Sequence, residues 1–60
     1  MDVERAIERM DRDTLNYFKQ LLDAFRKSGS ERFLEEMVKI LQNYSDDDAD
    51  KIKRLLLKMR

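Results

Sequence analysis

Apolar residues recur at helical spacing along this chain, and two short polar breaks interrupt the pattern. Projected at about 100° per residue, Val3, Ile7, Met10, Phe18, Leu21 and Phe25 fall on one stripe. Phe33, Leu34, Met37, Ile40, Leu41 and Tyr44 form a second stripe, and Ile52, Leu55, Leu56 and Met59 a third. The first break is Ser28-Gly29-Ser30. Here glycine can adopt the left-handed conformation that closes a helix, and Ser28 or Ser30 can offer its hydroxyl to the next helix's unpaired N–H groups. The second break is Asn43-Tyr44-Ser45 followed by Asp46-Asp47-Asp48. The pattern predicts Ser45 as the cap, with the aspartates in the first turn, where the helix dipole favours negative charge.

The first block is long enough to be one helix or two. Its stripe is continuous, yet Asp11 and Thr14 lie on it, and a single helix would overhang its shorter neighbours and leave Val3 and Ile7 without cover. A break at Asp11 removes both difficulties. The Asp11 carboxylate can accept from the N–H groups of residues 13 and 14, and Met10 can pack on Leu15 as a hydrophobic staple. Four helices are therefore predicted, over residues 2–10, 12–27, 31–43 and 46–59; the alternative is a three-helix bundle with a long first helix. The second helix carries the widest apolar face, with Leu15, Phe18, Leu21, Leu22 and Phe25 flanked by Tyr17 and Ala24, and is expected at the centre.

Composition narrows the class further. One glycine, no proline and a surplus of Leu, Lys, Arg, Asp and Glu favour helix and leave no turn residues for sheets, so the expectation is an all-α, compact small bundle spanning residues 1–60 as one domain. At 60 residues there is material for one core. Without cysteine or histidine there is neither a disulfide framework nor a zinc site, so packing must hold the fold. No apolar run approaches a membrane span, and the start Met1-Asp2-Val3-Glu4-Arg5 is too polar for a secretory signal, which gives a cytoplasmic expectation. Thirteen basic and thirteen acidic residues cancel, leaving no global field to attract nucleic acid or an anionic membrane.

The candidate chemistry is thin. Asp46, Asp48 and Asp50 alternate like the start of a calcium loop, but Lys51 stands where the turn needs glycine and Leu57 where a bidentate glutamate belongs. Glu35 and Glu36 lie on a polar face within reach of Arg32 and Lys39, while Asp11 and Asp13 fit a helix start, so neither pair has the burial that would divide acid and base roles. Ser28, Ser30, Ser45 and Thr14 lack a histidine-like base, and one glycine cannot build a phosphate loop. No catalytic, cofactor or metal residues are expected. Lys51, Lys53, Arg54, Lys58 and Arg60 make the last helix basic, but its aspartate-rich start would meet DNA phosphates, and its apolar stripe is needed for the core. Nucleic acid, membrane and small-molecule partners are not expected.

Function by surface would leave apolar side chains that the core does not use. Leu57 lies on a polar side, among Lys53, Arg54 and Lys58; Tyr17 and Val38 sit at stripe margins. With the aromatics Phe18, Phe33 and Tyr44 these are the candidate interface residues for a protein target or for self-association. The competing explanation is ordinary: single exposed apolar residues are common, and a tyrosine at a margin can bury its ring and keep its hydroxyl in water.

In Lys27-Ser28-Gly29-Ser30-Glu31-Arg32 and Ser45-Asp46-Asp47-Asp48-Ala49-Asp50 the chain resembles computationally designed helical mini-proteins, with serine or aspartate caps, acidic first turns, basic last turns and glycine confined to a loop. The resemblance covers the whole chain in style and transfers no site residues. It implies a non-catalytic chain made as an idealised or structural fold. The alternatives are a designed binder presenting a helical face to a target and a natural small helical interaction domain.

Overall fold

The computed structural model describes residues 3–58. The chain forms four helices, α1 (Val3–Arg9), α2 (Arg12–Ser28), α3 (Glu31–Gln42) and α4 (Ala49–Lys58), with no strand among the described residues. The four-helix, all-α bundle predicted from the pattern is the observed fold, and the long first helix is not formed. Asp2 and Met59, which the sequence placed at the outer ends of the first and last helices, lie outside the described residues.

Local chemistry sets each junction. Asp11 leaves the helical region, with φ −69° and ψ 168°, and its carboxylate accepts from the Thr14 backbone N–H at 2.9 Å, while its carbonyl accepts from Leu15 N–H at 2.9 Å. α1 therefore ends at Arg9, and α2 starts afresh from its own cap. At the far end of α2, Gly29 is left-handed, with φ 70°, and donates its N–H to the Phe25 carbonyl at 2.7 Å. The two serines around it divide the work. Ser28 Oγ turns back to donate to the Ala24 carbonyl at 2.8 Å, and Ser30 Oγ accepts from Arg32 N–H at 3.4 Å to cap α3.

The third junction differs from the sequence expectation. Ser45 does not cap α4, and the helix begins at Ala49 rather than at residue 46. Ser45 Oγ accepts from the Asp47 N–H at 3.1 Å and donates to Asp47 Oδ2 at 3.0 Å, which closes a turn before the helix. Asp48 is the cap: its Oδ1 accepts from Lys51 N–H at 2.8 Å and its carbonyl from Ile52 N–H at 3.2 Å. Serine and aspartate both offer a side-chain oxygen, so a run that contains both fits either start.

Packing also shifts the centre of the molecule from α2 to α3, which makes the extensive contacts with both α2 and α4. The reason lies in Val38. It sits at a margin of the sequence stripe, yet it is buried together with Leu34, Met37 and Leu41, so α3 buries a face broad enough for two neighbours. α2 is longer, but it buries only the narrower line Phe18, Leu21 and Phe25. The deepest side chains, Phe18, Met37, Leu41, Ile52 and Leu56, come from α2, α3 and α4 and form one core, each contributing about 1.5–3 kcal/mol by leaving water. Val3, Ala6 and Met10 join it from the α1 segment. The radius of gyration, 10.4 Å, is that of a single compact domain of this length.

Candidate interaction surface

With the core occupied, function must be sought on what the helices leave outside. Of the six candidate interface residues, the fold spends two on the interior: Phe18 and Val38 are buried. Phe33 and Tyr44 are half-buried, packed against the core. Tyr17 and Leu57 are the exposed large hydrophobic side chains among the described residues, at 48% and 42% of their full accessibility. They stand on different helices, α2 and α4, and with Phe18 and Val38 buried they are the two of the six that present a large exposed apolar side chain.

A groove of about 280 Å³ lies between α3 and α4, lined by Glu35, Val38, Lys39, Gln42, Ala49 and Lys53. Four of these side chains are polar or charged, and Val38 supplies apolar floor. Of the lining, only Val38 was singled out from the sequence as an interface residue. The signal that could have pointed to the groove is Ala49, a small side chain at the start of α4, where a larger residue would have filled the space. The lining carries both signs of charge and favours no class of ligand.

The charged positions behave as a solvated surface. Lys27 pairs with Asp23 at 3.0 Å, Lys51 with Asp47 at 3.2 Å and Lys39 with Glu36 at 3.8 Å, the last as the helical spacing on α3 predicted. Pairs of this kind contribute little to stability. The Asp11 carboxyl is held below the usual aspartate range, first by the Thr14 hydroxyl and then by the Thr14 backbone N–H. Among the described residues, no group of three or more acidic side chains is placed to hold a metal ion. No described helix is long and apolar enough to cross a membrane. Among the described residues, no buried side-chain nitrogen or oxygen lacks a hydrogen-bond partner.

No protein-family model matches the chain, and neither a curated protein nor a solved structure is significantly similar to it.

Proposed function

We propose that this chain is a non-catalytic helical mini-protein of designed type, whose role is structural and resides in the fold itself. The observation that carries this reading is the economy of its surface: among the described residues nearly every large apolar side chain is buried in or packed against one core, and the two left exposed, Tyr17 and Leu57, stand on separate helices. A chain selected to grip a partner keeps a contiguous apolar patch with aromatic anchors at its centre. The regular use of cap or closing residues at every junction, Asp11 at the first, Gly29 and Ser30 at the second and Asp48 at the third, supports the design reading, because local and global preferences agree at each break. The lack of histidine and cysteine supports the non-catalytic part.

One observation favours a second reading, a binder or interaction module: the exposure of the Tyr17 ring on α2. Replacing Tyr17 and Leu57 together by glutamine separates the two. A structural mini-protein keeps its helical circular dichroism, its melting temperature within a few degrees and its sedimentation coefficient at every concentration. If the parent chain self-associates or captures an apolar dye and the double variant does not, the exposed pair is an interface and the structural reading fails.

A further inference from the structure

The junction between α1 and α2 is only two residues long and holds no glycine, a combination that the other junctions lack: Gly29 stands between α2 and α3, and six residues separate α3 from α4. No glycine or proline stands anywhere in Arg9-Met10-Asp11-Arg12-Asp13-Thr14, so nothing in the backbone's own preferences forbids a helix from running straight through. The apolar stripe is in phase on both sides of the break, from Val3, Ile7 and Met10 to Phe18, Leu21 and Phe25. Two things keep the chain bent: the Asp11 carboxylate on Thr14 N–H, and the burial of Val3, Ala6 and Met10 in the core. α1 has seven residues, too few to hold as a helix without that support, and its backbone makes no extensive approach to any of the other three helices. It rests on the bundle through its side chains, as a strap rather than a full member of the stack.

We infer that Met10–Asp11 is a hinge between this closed monomer and an open form in which α1 and α2 run as one helix, and that the open form pairs with a second copy of the chain by exchanging α1. Straightening gains the helical hydrogen bonds that the break forgoes, and it lifts Val3, Ala6 and Met10 off the core. The core surface this uncovers is already complementary to one segment, α1 itself. A second copy in the same open form carries that segment on an extended arm, so each arm can close the other bundle with the contacts that the monomer makes within one chain.

Two substitutions push the hinge in opposite directions. Asp11→Ala removes the cap and favours the open form about five-fold; Asp11→Leu does the same and extends the stripe across the break. Arg12→Pro blocks the open form. Residue 12 is the first of α2, where proline is well accepted and the extended backbone of Asp11 suits a following proline, whereas in a continuous helix the ring would strike the Glu8 carbonyl.

The test is sedimentation velocity over the micromolar to millimolar range, with backbone chemical shifts from Arg9 to Leu15. Expected for Asp11→Ala and Asp11→Leu are helical shifts through Met10 and residue 11 and a dimer that grows with concentration. Expected for either variant combined with Arg12→Pro is a monomer with extended shifts at residue 11. A monomeric Asp11→Leu with α1 still docked overturns the proposal, as does a dimer that persists in the proline double variants. Loss of amide protection throughout α2 to α4 in both single variants also counts against it, because straightening leaves those helices intact.

Discussion

At the scale of single residues, Gly29 and the deepest core side chains show how differently two positions can bear on stability. Gly29 sits at φ 70°, and a Cβ built there would have nothing within 4 Å. Replacing it by alanine therefore costs only the backbone strain of a left-handed L-residue, about 1–2 kcal/mol, with no steric contribution. For a domain of this size that is a fall in melting temperature of about 4–8 °C per kcal/mol, readable by thermal circular dichroism. Ile52 is the opposite case. It is fully buried, and truncation to alanine removes about 2–5 kcal/mol, against a total stability of only about 3–9 kcal/mol for 60 residues. Ile52→Ala is expected to populate the unfolded state measurably at room temperature, and Ile52→Val, at about 0.5–1.5 kcal/mol, to remain folded with a lower urea midpoint.

At the scale of the elements, the junctions decide which helix exists where, and here the structure corrects the sequence in an instructive way. Asp48 caps α4 and Ser45 closes the turn before it. Asp48→Ala is therefore expected to cost about 1 kcal/mol and to speed amide exchange at Lys51, whose N–H loses its acceptor. Ser45→Ala should leave Lys51 unchanged. The reverse pattern would mean that the helix starts at Ser45 after all. The break at Asp11 was legible because the chain there presents a conflict, polar residues on an apolar stripe, that only one architecture resolves. The start of α4 was not legible to within a turn, because Ser45, Asp46, Asp47 and Asp48 are all competent caps. The burial of Val38 was missed for a different reason. A helical wheel places a residue relative to one neighbour, and α3 has two. The groove beside Val38 is made by the distance between α3 and α4, which no single stripe encodes, and the small Ala49 is its one trace in the sequence.

The hinge aspartate also gives the elements a pH dependence with a definite sign. Its carboxyl is held below the usual aspartate value in the folded chain, by the Thr14 hydroxyl and then the Thr14 N–H, so the unfolded chain binds the proton more readily. The contribution is present above the ordinary value of about 3.9 and is lost as pH falls below it toward the depressed folded value. Acidification through that window should lower the urea midpoint of the parent chain. Part of that fall should disappear in Thr14→Val, in which the hydroxyl donor is gone. An identical acid limb in the two proteins would show that the Thr14 hydroxyl does not set it.

For the molecule as a whole, the placement of α3 makes the fold a three-helix stack with a strap. α2 and α4 both lean on α3, and the most deeply buried side chains, Phe18, Met37, Leu41, Ile52 and Leu56, span all three. A single core that joins three helices unfolds as one unit, because losing any one helix leaves the others' apolar faces in water. α1 stands outside that unit. With Met10 just after it, it adds Val3 and Ala6 to the core, and its backbone makes no extensive approach to the other three helices. Native-state amide exchange should therefore sort the chain into two classes. Amides in the middle of α2, α3 and α4, at Leu21, Met37 and Leu56, should exchange through one opening, with the same free energy as global unfolding and the same dependence on low concentrations of urea. Amides late in α1 should exchange through a smaller opening of lower free energy that responds weakly to urea, because it exposes little surface. If Leu56 exchanges with the α1 class instead, α4 is a second strap and the bundle is built on α2 and α3 alone. If α1 exchanges with the global class, the strap is integral to the core, and the hinge at Met10–Asp11 has no free-energy gap in which to work.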